Sequence, residues 1–315
     1  MKRFLFSLLV LPTIMVAQKI DHLVSFRNIH SDSYFRFNYD NDFFTATDKD
    51  YTQGYNLELV APFLEKNPLN FMFPAPKRSV NKYGLSIEHI GFTPEQYQLP
   101  DIQFGDRPFA AAIMLKSFSI ATDTVKKSRT TSSLSIGIIG PGAFGREMQA
   151  GIHRLIDDKE PLGWRHQIKN DVVLNYSLGY EKRLWCYNDL FSLRARANAQ
   201  VGTLFTHLSS GINSTFGLID SPFIGERKGF RLYLYAQPTV QLIGYDATLQ
   251  GGLFNRDGPY TISGDKVERI TGQFDFGLIL KTRTLYFEYT RSLITKEFES
   301  GQASAWGGVN IGFTF

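Results

Sequence analysis

The sequence predicts an all-β fold, a transmembrane antiparallel β-barrel of about 12 strands with a short helix in an outer loop. Three observations support this prediction. The chain begins with a pattern typical of a secretory signal, and apolar and polar residues alternate through segments of about ten positions. The last residues alternate in the same way up to a terminal aromatic, Phe315, which is typical of outer-membrane barrels.

The N-terminal pattern is two basic residues followed by an uncharged run, Phe4 to Val16, that ends at Ala17. We therefore expect residues 1–17 to be a cleaved signal peptide and residues 18–315 to form a single outer-membrane β-barrel domain. A retained anchor is the alternative, although the run is short for a membrane helix. After Ala17 no apolar stretch approaches the roughly 20 residues that such a helix needs.

Composition excludes several classes of protein. The net charge is only +4 and is spread along the chain, so it gives no case for nucleic acid binding. The single cysteine, Cys186, excludes an intramolecular disulfide. No Gly-x-Ser-x-Gly, HExxH or CxxC motif is present, so neither a serine hydrolase of that kind nor the common zinc sites are supported.

The clearest strand pattern runs from Phe191 to Val201, where apolar residues alternate with Ser192, Arg194 and Arg196. Lipid would contact the apolar face and lumen water the polar face, which distinguishes a barrel from a sandwich. Similar patterns predict twelve strands, near 33–41, 54–62, 82–92, 108–120, 131–139, 171–183, 190–203, 229–240, 244–252, 268–280, 284–294 and 305–315. With both termini periplasmic, the outer connections would be 42–53, 93–107, 140–170, 204–228, 253–267 and 295–304.

The unusual polar motifs all fall near these outer connections, where functional groups are often held on a rigid scaffold. Around Asn41, Asp42 and Thr52, carboxylate, amide and hydroxyl oxygens offer ligands for a hard cation such as Ca²⁺. A solvated acidic hairpin loop is the better interpretation from spacing alone. Arg107, before Pro108, is suited either to bind an anionic ligand or to pair with Asp106 or Asp42.

The third motif predicts a short helix from Gly145 to Asp157, after the strand-breaking Gly140-Pro141-Gly142. Gln149 and His153 are four residues apart and would share one face of this helix. A neutral imidazole can take a proton from water near neutral pH, although a lone loop histidine is usually an ordinary surface residue.

Together, these motifs resemble those of the outer-membrane lipid A 3'-O-deacylase family. The resemblance covers the whole mature chain in a specific order. The matching residues are Asn41, Asp42, Phe43, Phe44, Asp50, Tyr51, Thr52 and Gly54, then Gly105, Asp106, Arg107 and Phe109, then Gly140, Pro141, Ala143, Gly145, Glu147, Gln149, His153, Trp164 and Asn170.

The resemblance implies a twelve-stranded barrel in the bacterial outer membrane that hydrolyses the ester linking the 3'-acyloxyacyl group to lipid A, with calcium as cofactor. By position, His153 is the expected general base, and Glu147 and Gln149 are the motif residues that would orient it or its helix. The residues carried over to the calcium-site region are Asn41, Asp42 and Thr52. We expect a monomer whose partner is lipid A or lipopolysaccharide.

One departure leaves the substrate open. The family would carry basic residues ahead of Gly105 to bind the lipid A phosphates, but residues 93–105 contain no Lys or Arg, and Glu95 and Asp101 are acidic. A lipid A with fewer phosphates or another outer-leaflet lipid is the alternative substrate. A phospholipase that uses the same rim, and a non-enzymatic barrel, remain as alternative functions.

Overall fold

The computed structural model describes residues 21–45, 50–223 and 229–315. Within them, twelve antiparallel strands pair in chain order and close into a barrel through the first and the last strand. The predicted fold class is therefore confirmed. The expected signal peptide, residues 1–17, lies outside the described residues.

The strands are β1 (Tyr34–Asn41), β2 (Asp50–Val60), β3 (Val80–Thr93), β4 (Ala110–Asp123), β5 (Ser128–Ile139), β6 (Asp171–Tyr187), β7 (Phe191–Gly202), β8 (Phe205–Leu218), β9 (Arg231–Asp246), β10 (Ile270–Lys281), β11 (Leu285–Ile294) and β12 (Ser304–Thr314). The helices are α1 (Gly145–Ile156) and α2 (Ala247–Gln250). Short 3-10 turns occur at Ser25–Arg27, Asp42–Thr45, Pro62–Lys66, Pro68–Met72, Pro141–Ala143 and Gly163–His166. In the described part of the chain, no helix has the length and apolar character to cross a membrane.

Alternation along the strands places polar side chains in the lumen and apolar ones outside, as predicted. Ser192 and Arg194 are fully buried, whereas Val172 and Val201 are more than half exposed on the outer surface. A charged group inside the barrel needs a partner, and Arg194 Nη1 donates to Asn213 Oδ1 at 3.0 Å.

Two predicted elements are wrong. The predicted outer connection 204–228 contains β8, and the predicted strand 244–252 contains the end of β9 followed by α2. Serines at positions 210 and 214 interrupt the apolar face of β8, so the period of two is weak there. Asp246 ends β9 and caps α2 by accepting the Thr248 N–H at 2.8 Å. Because one strand was missed and one was added, the strand count still agreed.

Residues 21–33 precede β1, and we call them the lumen segment; most of them lie inside the barrel, whereas Asp32 near their end is exposed. Arg27 Nε donates to both carboxylate oxygens of Glu288 at 2.9 Å, and Phe26 stacks on Tyr235 with ring centroids 4.1 Å apart. The backbone N–H and the hydroxyl of Ser25 both donate to Glu181 at 3.1 Å. The chain's own N-terminal residues therefore fill part of the lumen.

The rest of the lumen is closed near the barrel end at which β1 finishes and α1 lies, the α1 end. Buried apolar side chains meet there across the barrel, among them Tyr51, Phe92, Phe205, Ile294 and Trp306. Between this cluster and the lumen segment is a polar cavity of about 110 Å³. The barrel interior is thus packed rather than an open channel.

Candidate functional site

One row of residues crosses four neighbouring strands on the outer face of the barrel at the α1 end. Asn41, Gln53, Gly91 and Ala111 are successive register partners on β1 to β4. They point outward because alternate residues such as Asp40 are buried in the lumen. Neighbouring strands are about 4.8 Å apart, so the row spans about 14 Å.

Helix α1 packs on this outer face. A Cβ atom on Gly145 would lie 2.4 Å from the Ala111 Cβ and 2.6 Å from the Trp164 ring, so only glycine permits this approach. Trp164 also packs against Phe109, with ring centroids 5.1 Å apart. The sequence placed this motif at the rim; the structure shows that it folds back onto the outside of the wall.

The buried face of α1 carries the two side chains that were expected to share it. Gln149 is 1% exposed and His153 is 6% exposed, so the predicted helix and its common face are confirmed. Glu147 is exposed in the first turn, where a carboxylate stabilises the helix dipole. Glu147 is therefore separated from the other two motif residues.

The orientation of the His153 ring is fixed by its surroundings. Its Nδ1 lies 2.6 Å from the backbone carbonyl oxygen of Lys159 and 3.6 Å from Asp158 Oδ2. The rings of His153 and Tyr97 pack edge to face, with their centroids 5.2 Å apart. Since a carbonyl only accepts, Nδ1 carries the proton, and in the neutral ring Nε2 keeps a lone pair that can take one.

The Gln149 amide is oriented by an indole. Trp164 Nε1 donates to Gln149 Oε1 at 2.6 Å, which assigns the other end of the amide as the NH₂ group. This Nε2 atom is buried and has no hydrogen-bond partner among the described residues. A buried, unpaired donor is costly unless water or a ligand accepts from it, so this atom is available to a bound acceptor.

The residues of the predicted calcium region lie where β1 ends and β2 begins. Asn41 Oδ1 accepts the Phe43 N–H at 2.7 Å, Asp42 is 1% exposed, and the hydroxyls of Thr52 and Thr93 are hydrogen-bonded to each other. Carboxylate, amide and hydroxyl oxygens, the types that these three side chains carry, are the donors that calcium prefers. Asp48 lies outside the described residues.

Within residues 21–45, 50–223 and 229–315, no three or more His, Cys, Asp or Glu side chains are grouped to bind a metal. The three candidate ligands Asn41, Asp42 and Thr52 include only one carboxylate, so they would not form a group of that kind. This donor chemistry points to calcium or magnesium rather than to a transition metal.

Arg107 lies on the lumen side of the wall, away from α1. Its Nη1 donates to Glu297 at 2.7 Å, its Nη2 donates to the Thr248 hydroxyl at 3.3 Å, and its guanidinium stacks 4.1 Å from the Phe92 ring centre. The backbone N–H of Arg107 donates to the carboxylate of Asp106. These contacts favour an ion pair that joins the loops at the α1 end over binding of an anionic ligand, and Glu297 is a partner that sequence analysis did not name.

His89 was not selected by sequence analysis. It lies on the outer face of β3 and is fully buried, and its Nε2 is 3.0 Å from the backbone oxygen of Ala143, just before α1. The available signal was a polar residue on the lipid-facing side of a predicted strand, 82–92, where lipid contact would be costly.

The family described as outer membrane protein LpxR matches residues 4–315 of this chain. Among solved structures, LpxR from Salmonella typhimurium is similar with a TM-score of 0.74 and 19% sequence identity, covering 90% of this chain and 100% of that chain. The Bordetella autotransporter BrkA beta domain has a TM-score of 0.45 and 7% identity, covering 91% and 100%. The NalP translocator domain of Neisseria meningitidis has a TM-score of 0.42 and 10% sequence identity, covering 90% of this chain and 88% of that chain. No curated protein sequence matches the chain.

The family match spans nearly the whole chain, and the Salmonella barrel confirms the fold. The family match places the protein in the bacterial outer membrane. The chain belongs to the LpxR family of outer membrane proteins.

Proposed function

We propose that the protein is an outer-membrane enzyme that modifies lipid A, by hydrolysing the ester that links the 3'-acyloxyacyl group, with calcium as cofactor. The observation that carries this proposal is the position of His153, on a helix packed against the outside of the barrel wall with its Nδ1 held by a carbonyl. A base placed there lies next to the outer surface of the barrel, and the outer leaflet around that surface contains lipid A. Family membership supports the same activity.

In the proposed reaction, His153 Nε2 accepts a proton from a water molecule whose oxygen attacks the ester carbonyl carbon. The positive charge then formed on the ring is stabilised by the Lys159 carbonyl and by the Asp158 carboxylate, 3.6 Å from Nδ1. His153 returns the proton to the departing sugar oxygen as the carbon–oxygen bond breaks. The products are a free acyloxyacyl carboxylic acid and a sugar hydroxyl.

Two groups of residues would stabilise the negative charge that develops on the carbonyl oxygen. Asn41, Asp42 and Thr52 would hold calcium, which when bound supplies positive charge against the developing oxyanion. The buried Nε2 of Gln149 is a donor for a substrate oxygen. Glu147 acts through the helix dipole rather than on the substrate.

The filled lumen favours an enzyme over a passive pore. The lumen segment and the apolar cluster at the α1 end occupy the path that ions would need to follow. A phospholipase acting with the same base is distinguished by the lipid that loses an acyl chain.

The His153→Ala variant tests the proposal. We expect lipid A from cells expressing wild-type protein to lose the 3'-acyloxyacyl mass, and purified enzyme to lose activity when calcium is chelated. Loss of the general base should reduce acyl release by about 10²–10⁴-fold. Mass spectrometry of lipid A, with parallel analysis of phospholipids, measures both substrates.

The matched control is His166→Ala, in the same connection, where the ring accepts from Arg165 Nε at 2.9 Å. This variant should retain activity. Unchanged lipid A with a folded wild-type barrel would contradict the proposal. Acyl release from phospholipids alone would then identify a phospholipase, and conductance in planar bilayers would identify a pore.

A further inference from the structure

We propose that His89 is a positioning residue that holds the start of α1 against the barrel wall and so keeps Gln149 and His153 in place. The inference rests on the proposed function and adds to it a group on the barrel itself, outside the α1 connection.

The position of His89 in β3 is the first observation. Its neighbour Glu88 points into the lumen and accepts from Lys116 Nζ at 2.8 Å, so His89 must point outward. Ile87, on the same outer face, is 44% exposed, whereas His89 is 0% exposed. An imidazole at this level of the outer face would be costly against lipid. Other parts of the protein must therefore cover it.

The contacts of the ring are the second observation. Its Nε2 lies 3.0 Å from the backbone oxygen of Ala143, so Nε2 carries a proton and donates. Its face stacks on Tyr55, with ring centroids 5.1 Å apart and planes 8° from parallel. The stacking fixes the direction of the N–H group, and the bond pins the Pro141–Ala143 turn to β3.

The turn that His89 holds leads directly into α1. Gly140 has a φ of +104°, and a Cβ there would lie 2.5 Å from the Lys169 backbone, so the shape of the turn is fixed by its own sequence. The His89 bond fixes instead where this turn lies on the wall. A displacement of the order of 1 Å at a catalytic group can reduce a rate by about 100-fold. A shift of the turn would move α1 and both of its buried polar side chains.

Three substitutions separate the hydrogen bond from polarity and size. Glutamine at 89 can place an N–H near the position of Nε2, asparagine keeps an amide that is too short, and leucine has no donor. We expect His89→Leu and His89→Asn to lower kcat by roughly 10- to 100-fold with a smaller change in KM. His89→Gln should retain most of the activity.

A second measurement does not need the substrate. In intact protein in vesicles, trypsin should cleave at Arg146 and Arg154 of α1 faster in His89→Leu and His89→Asn than in wild type or His89→Gln. His207→Leu is the matched control, since His207 is on β8, nearly opposite β3 around the barrel. Heat-dependent mobility on gels confirms that each barrel is folded.

Equal kcat and equal cleavage in all His89 variants would overturn the inference. So would a loss in His89→Gln as large as that in His89→Leu, because that result would indicate a need for imidazole itself. If wild type releases no acyl chain from any lipid, the proposed function fails, whereas the trypsin pattern still decides whether His89 anchors α1.

Discussion

Replacing Asp42 with asparagine is expected to abolish the stimulation of acyl release by calcium and to lower kcat by about 10²–10³-fold, the usual cost of losing one oxyanion-stabilising group. Asp42 is the one carboxylate among the three proposed ligands and is 1% exposed. Asparagine keeps the size of the side chain but removes the charge that a hard cation requires. Initial rates on lipid A vesicles across a calcium titration measure the effect.

The matched control is Asp101→Asn at the same end of the barrel, where the side chain is 85% exposed. This variant should keep the calcium response of the wild type. A normal calcium titration in Asp42→Asn would contradict the assignment of the metal to this region. Loss of stimulation in both variants would indicate a general effect of negative charge at the surface.

The second large effect is expected at Arg27, in the lumen segment. Replacing it with methionine should lower the free energy of unfolding by about 3–5 kcal/mol, because the buried Glu288 carboxylate would lose its cation. Burial alone would lower the pKa of the Arg27 guanidinium. The negative charge of Glu288 outweighs this effect and raises the pKa well above its usual value. Urea unfolding in lipid vesicles measures the change.

The double variant Arg27→Met/Glu288→Met should recover part of this loss, since no unpaired charge remains, although Tyr235 and Tyr286 lose an acceptor. Arg165→Ala is the control. Its partner Asp101 lies 3.5 Å away at the surface, and the change should stay below about 1 kcal/mol. If the losses measured separately in Arg27→Met and Glu288→Met simply add in the double variant, the pair is not coupled.

The fold was largely predictable because lipid-facing and lumen-facing residues alternate along each strand of a barrel. Strands with a clean alternation, such as β6 and β7, were placed within a few residues. β8 was missed because Ser210 and Ser214 stand among the outward residues Leu208, Ile212 and Phe216. The lumen segment was not predicted, since nothing in residues 21–33 indicates that they enter the barrel.

The site was predictable in its helix and less so in its surroundings. Four-residue spacing placed Gln149 and His153 on one face, and that face is buried. The spacing of residues in the sequence does not show which side of the barrel wall a loop packs on. The close packing of Gly145 on Ala111 and the hydrogen bond from His89 to Ala143 could therefore not be predicted. Arg107 was uncertain for the same reason, because its partner Glu297 is distant in sequence.

The lumen segment changes how the residues before β1 should be regarded. The residues before the first element of a domain are usually tolerant of change, because they are poorly ordered. Here Ser25, Phe26 and Arg27 are buried as deeply as the barrel's own inward side chains. Substitutions or tags inserted here should therefore be judged as changes to the barrel interior, and mutational scans should find Ser25, Phe26 and Arg27 as intolerant as the lumen wall.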